Sequence, residues 1–199
     1  QYCKHKLMIN IYLIRHGKAS SGWDTTDPNL DLTGKKQSDK IALKLSQIAK
    51  EPFDVFSSPL NRCIETAEPF SKINNKKIKI ENRVVEIPSP IKNLKKRVVW
   101  LKRVLPLTWN ELISDKESRD SKIDYFLWRD NILKFFLSLN KDTFIFTHYL
   151  VINSVVSHLR KSDKVVFFNP DNTSLTHLSL SDKKLKIISL GDEASTLIN

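Results

Sequence analysis

Ile9-Asn10-Ile11-Tyr12-Leu13-Ile14-Arg15-His16-Gly17 is the stretch that decides how this chain is read. A mostly apolar run stops abruptly at two basic side chains and a glycine. Packing alone gives a buried strand no reason to end that way. In open α/β sheets, ligands bind just beyond the carboxyl ends of the strands, so an Arg-His pair there stands where chemistry sits. Gly17 permits a tight turn and a close approach of backbone to a ligand.

Outward from that strand, strands and helices alternate, which predicts an α/β fold with a mostly parallel sheet. A polar loop over 18–32 precedes a helix opened by Asp31-Leu32-Thr33-Gly34, with Thr33 as its cap. Ile41, Leu45 and Ile48 keep helical spacing to about Lys50. Pro52 separates this helix from a short buried strand, Phe53 to Phe56. Ser58 as cap and Pro59 at the first helical position then predict a helix start, with Arg62 in its first turn. A cation there opposes the helix dipole, a small penalty that points to an anionic partner. A strand over 78–85 closes at Glu86. Residues 87–121 read as an insertion of one or two helices, and lids and substrate pockets are commonly built from such segments. A helix over 123–139 leads to the buried strand Phe144-Ile145-Phe146-Thr147. His148 follows that strand directly, repeating the geometry of His16. A helix over 149–160 and a closing strand pair, 174–180 and 184–190, complete the chain.

The 199 residues suit one domain, expected over 9–199, with residues 1–8 as a leader. No apolar run reaches the length of a membrane span, and no signal-peptide pattern is legible, so a cytoplasmic setting is expected. Two cysteines, Cys3 and Cys63, give neither a disulfide framework nor zinc spacing. Cys63 reads as a small buried residue. The net charge is +11, spread over many lysines. That fits a solvated basic surface or attraction of an anionic substrate. Without basic-aromatic repeats, nucleic-acid binding ranks below both. Oligomeric state is not legible.

Two histidines at strand ends and two arginines, Arg15 and Arg62, suit a single phosphoryl group. Arginine offers a planar fork of donors to such an anion. A neutral histidine can attack phosphorus, and a second, protonated one can steady the equatorial oxygens. Glu86 stands where it can protonate a leaving oxygen, with Glu111 as the fallback. Arg97 and Arg129 are candidates to reach a second anionic group. His158 and His177 read as structural or solvated.

Leu13-Ile14-Arg15-His16-Gly17-Lys18-Ala19, Leu32-Thr33-Gly34, Ser57-Ser58-Pro59-Leu60-Asn61-Arg62-Cys63-Ile64-Glu65-Thr66-Ala67 and Phe146-Thr147-His148 together resemble the histidine phosphatase superfamily, also called phosphoglycerate mutase-like. The motifs occur in that family's order across nearly the whole chain. Glu86-Ile87-Pro88-Ser89-Pro90, Trp128-Arg129 and Pro170-Asp171-Asn172-Thr173-Ser174 resemble a bacterial subgroup of it. The resemblance implies a three-layer sandwich with helices on both faces of a mostly parallel sheet. It implies His16 as a nucleophile forming a phosphohistidine, with Arg15, Arg62 and His148 binding the phosphoryl group. Glu86 would be general acid and then base, and neither metal nor cofactor is implied. Gly17, Ser21 and Tyr149 complete the expected substrate contacts. Tyr149 stands where the family usually has glycine, and no asparagine follows Arg15-His16-Gly17; Ser20 or Ser21 is the substitute. The expected activity is hydrolysis of a small phosphomonoester. The alternatives are a protein phosphohistidine phosphatase, a phosphomutase, or a phospho-ligand binder without turnover.

Overall fold

The computed structural model describes residues 8–20 and 25–194. Its centre is a six-stranded sheet in the order β3-β2-β4-β1-β5-β6. The strands are β1 (Ile9–Arg15), β2 (Phe53–Ser57), β3 (Ile78–Ile80), β4 (Asp142–Thr147), β5 (Leu175–Ser181) and β6 (Lys184–Ser189). Strands β3, β2, β4 and β1 pair in parallel. β5 pairs antiparallel with both β1 and β6, so it alone runs against the other five.

Side chains of β1 alternate between two apolar layers, as the two-residue period of a strand requires. Ile9, Ile11 and Leu13 face a layer that contains Ile132, Phe135 and Phe136 of α6 (Tyr125–Leu137) and Val151, Ile152 and Val155 of α7 (Tyr149–Leu159). Tyr12 and Ile14 face the opposite layer, with Ile41, Ala42 and Leu45 of α1 (Leu32–Ile48) and Ala67 and Phe70 of α2 (Asn61–Ile73). The expected α/β sandwich is therefore the observed one. Helices cover both faces, and a parallel strand buried on both sides reads as the near-continuous apolar run seen in Leu13-Ile14 and Phe144-Ile145-Phe146.

Residues 87–121 carry three helices, where the sequence predicts one or two: α3 (Leu94–Val104), α4 (Trp109–Ser114) and α5 (Lys116–Asp120). A capping box between Thr108 and Glu111 starts α4, and Asp115 separates it from α5. These helices form a third apolar cluster from Trp100, Val104, Trp109 and Leu112. Ile87, Tyr125, Tyr149 and Leu150 join it, which fastens the insertion to the start of α7.

Three boundaries differ from the sequence reading. Asp31, not Thr33, caps α1, because its carboxylate accepts from the Gly34 N–H at 2.7 Å. α2 starts at Asn61, two residues after Pro59. The Ser58 N–H stays bonded to Phe146 O, which holds the chain in sheet register past β2. β3 stops at Ile80, opposite Ser57, because its partner β2 ends there. Residues Asn82–Val84 instead form a 3-10 turn capped by Glu81. Glu86 therefore lies beyond that turn and not at a strand end.

Candidate active site

Register brings the site together. Arg15 of β1 lies opposite Thr147 of β4, so the next residue on each strand is a histidine. The His16 N–H donates to Thr147 O at 2.9 Å, and the two imidazole centroids stand 5.4 Å apart. Ser57 lies opposite Phe146, so β2 delivers Ser58 and the start of α2 to the same end of the sheet. Arg62, on the first turn of α2, reaches both rings. Its Nε lies 3.3 Å from His16 Nε2, and its Nη2 lies 3.3 Å from His148 Nδ1.

These partners fix the protons. A carbonyl only accepts, so His16 Nδ1, 2.8 Å from Gly17 O, carries its hydrogen and Nε2 is bare. A guanidinium only donates, so His148 Nδ1 is bare, and its Nε2–H points at Ser58 Oγ, 2.7 Å away. Burial drives the pKa of both rings well below 6.5, and the charges of Arg62 and Arg15 push the same way. Both histidines are therefore neutral at pH 7. His16 keeps some exposure, whereas His148 has none.

Arg15 is buried and donates through Nη1 to Pro170 O at 2.8 Å. Its guanidinium lies 5.1 Å from the centroid of the Tyr149 ring, a cation–π contact. Its Nε is buried without a partner. Glu86 accepts from the N–H of Ile87 at 3.0 Å and of Leu150 at 3.2 Å. Burial raises its pKa, against the lowering pull of the Ile87 N–H and of Arg62, Arg15 and Arg97. Arg97, from α3, is half-buried and makes no ion pair among the described residues. Its pKa is lowered by burial, with the Glu86 charge opposing that shift and the Arg62 charge adding to it. Glu111 is exposed and spent in the capping box of α4.

The frame around these groups was only partly legible. Asp27 accepts from Asn61 N at 2.9 Å and lies 3.8 Å from Arg62 Nη1, so it holds both the start of α2 and the arginine. Thr66 Oγ1 accepts from the Gly17 N–H at 2.9 Å and donates to Arg62 O. Asn172 Nδ2 donates to His16 O at 3.0 Å, which explains the Pro170-Asp171-Asn172-Thr173-Ser174 segment as a brace for the loop after β1. Ser58 was read as a helix cap, yet its hydroxyl serves His148. The signal for it was its place, one residue past a buried strand, like His16 and His148. Ser21 lies outside the described residues, as do residues 1–7 of the expected leader. Arg129 stacks on Trp109 at 4.2 Å. His177, one of the histidines read as structural or solvated, stacks on Tyr12 and lies 2.9 Å from Asn10 Oδ1. Among the described residues no cluster of His, Cys, Asp and Glu is arranged for a metal, and no helix is long and apolar enough to cross a membrane.

Residues 11–89 match the family model of the histidine phosphatase superfamily (branch 1). Phosphoserine phosphatase 1 of Hydrogenobacter thermophilus is 36% identical over 88 residues, which cover 40% of this chain and 39% of that protein. The match thus spans well under half of the relative's length. The fold is shared with phosphoserine phosphatase of Entamoeba histolytica in complex with 3-phosphoglyceric acid, at a TM-score of 0.69, 18% identity, and coverage of 96% of this chain and 100% of that one. It is shared equally with phosphoglycerate mutase of Bacillus anthracis, at a TM-score of 0.72, 18% identity and 94% coverage of each. Residues 11–89 thus carry the match to the histidine phosphatase superfamily, and the chain as a whole has the fold of these phosphatase and mutase structures.

Proposed function

We propose that this protein is a phosphatase that hydrolyses a small phosphomonoester through a phosphohistidine on His16. The observation that carries the reading is Arg62 bridging the bare nitrogens of two neutral histidines, with Arg15 and Glu86 close by. A bare, partly exposed His16 Nε2 is a competent nucleophile, and its fixed Nδ1–H aims it. Attack forms the N–P bond and breaks the P–O bond to the alcohol. Arg15 and Arg62 neutralise the charge spread over the equatorial oxygens. Glu86, whose raised pKa keeps its proton nearer to neutral pH, passes that proton to the leaving oxygen. It then takes a proton from the water that attacks the phosphohistidine, which releases inorganic phosphate and regenerates His16.

Arg97 supports a substrate with a second anionic group. It is half-buried beside Glu86 and Arg62 and lacks an ion-pair partner among the described residues. A carboxylate near the phosphoryl group would supply one. The 3-phosphoglyceric acid bound by the Entamoeba neighbour has that layout.

The test is phosphate release from a panel of phosphomonoesters, wild type beside His16→Ala, with rapid-quench trapping of radiolabelled phosphate. Turnover lost in the variant, with acid-labile label on the wild-type chain, is the expected result. Appreciable hydrolysis by His16→Ala sinks the nucleophile assignment. Isomerisation of a phosphoglycerate without phosphate release turns the reading towards a mutase. Tight binding without turnover turns it towards a binder.

A further inference from the structure

We infer that Ser58 is a positioning residue that pairs the Nε2–H of His148, and with Arg62 on the opposite nitrogen leaves Nδ1 as the ring atom that meets the phosphoryl group. Two hydrogen bonds, on opposite nitrogens of one ring, carry the inference. Ser58 Oγ lies 2.7 Å from His148 Nε2. Cys63 Sγ lies 3.4 Å from Nε2 and 3.8 Å from Nδ1, against the face of the ring, while its thiol faces Thr147 O at 3.5 Å. Arg62 Nη2 lies on the opposite nitrogen at 3.3 Å. Ser58, Cys63 and His148 are all fully buried, so water cannot take over these contacts.

Arg62 selects the tautomer, because a guanidinium only donates, whereas a serine hydroxyl can answer either form of the ring. Ser58 Oγ accepts the Nε2–H that this leaves. Burial pushes the Cys63 thiol far up, so it stays protonated and donates to the Thr147 carbonyl. With Nε2 committed, the bare Nδ1 is the only basic atom of the ring turned towards Arg62 and the His16 side of the pocket. A phosphoryl monoanion that arrives there can give its P–O–H proton to Nδ1. The phosphoryl group becomes a dianion and His148 an imidazolium, with both N–H groups paired: Nδ1–H to the new oxyanion and Nε2–H to Ser58. No proton leaves the site. The inference rests on the phosphatase reading for the identity of the anion, but not for the tautomer.

The experiment is nitrogen NMR on protein labelled in its histidines, without ligand and with inorganic phosphate. In the free protein His148 is expected as Nε2–H with a bare Nδ1. With phosphate, Nδ1 is expected to become protonated while Nε2 keeps its proton. Ser58→Ala is expected to give a mixture of tautomers and to weaken phosphate inhibition about tenfold, the order of one lost buried hydrogen bond. Ser58→Thr, which keeps the hydroxyl, is expected to restore the single tautomer. Cys63→Ala is expected to have a smaller effect than Ser58→Ala. A free-state His148 protonated on Nδ1 overturns the inference, whatever the enzyme hydrolyses. So does a Ser58→Ala protein with the wild-type tautomer and phosphate affinity. Phosphate that perturbs His16 but leaves Nδ1 of His148 bare overturns this inference alone; phosphate that perturbs neither ring overturns it together with the phosphatase reading.

Discussion

Gly17 and Gly34 meet backbone to backbone. A Cβ at Gly17 would stand 2.8 Å from Gly34 O, and one at Gly34 would collide with the Lys18 carbonyl. The loop that presents His16 is thus seated directly on the first turn of α1. Neither glycine has a positive φ, so the need is for space and not for conformation.

Gly34→Ala should therefore lower stability, although alanine is normally worth up to about 1 kcal/mol over glycine inside a helix. The collision is with backbone, which gives way poorly, and overpacking of this kind costs about 1–3 kcal/mol. Urea unfolding should show a lower midpoint. Phosphate release should fall as well, because the displaced segment carries His16. A midpoint at or above wild type would show that α1 slides away freely.

The same pair shows what could and could not be read from the chain. Gly17 was marked for a close backbone approach, but to a ligand; its actual neighbour is 17 positions further along the chain, which local pattern cannot supply. His16 and His148 were legible because each follows an apolar strand, and parallel register carries both to one end of the sheet. Ser58 and Asp27 were not. Their roles depend on which groups from other elements meet them, His148 for Ser58 and the Asn61 N–H and Arg62 for Asp27, and the local cap signal at Ser58-Pro59 pointed elsewhere. The end of β3 was misplaced for a similar reason. Residues Val84 and Val85 look strand-like, but β2 gives them no partner to pair with.

Glu86→Gln should slow turnover by about a hundredfold to ten-thousandfold, the usual worth of a general acid–base. Where formation of the phosphoenzyme limits the rate, Glu86 must be protonated. Activity should then fall as pH rises through its raised pKa, and this alkaline limb should be missing in Glu86→Gln. A near-wild-type Glu86→Gln protein would leave the acid to another group; Glu111, bound in its capping box, makes a poor substitute.

Stability should also fall as the solution is acidified below about pH 6.5. His16 and His148 have folded pKa values well below 6.5, so the unfolded chain binds more protons there. Their contribution is complete above the unfolded value and is lost as pH drops towards the folded ones. Each histidine accounts for up to about 1.4 kcal/mol per pH unit. Glu86, with its raised folded pKa, works the other way and offsets part of this loss. Two histidines outweigh one carboxyl, so urea midpoints should decline between pH 7 and pH 5.5. His148→Gln should flatten that decline. An unchanged slope in the variant would mean that the histidine does not fold in its neutral form.

Arg97→Ala should separate substrates that one assay with a simple aryl phosphate would treat alike. If Arg97 meets a carboxylate, its removal strips a charge-assisted hydrogen bond worth about 1.5–3 kcal/mol, or roughly tenfold to a hundredfold in kcat/KM. That loss should fall on carboxylate-bearing phosphomonoesters and spare phenyl phosphate. A general effect is also expected from the charge itself: Arg97 lowers the Glu86 pKa, so its removal should move the alkaline limb upward for every substrate. The two effects are distinguishable, since one scales with the substrate's second anion and the other with pH. An equal effect on phosphoserine and phenyl phosphate, confined to a shifted alkaline limb, would place Arg97 outside substrate selection and leave it as a tuner of the acid alone.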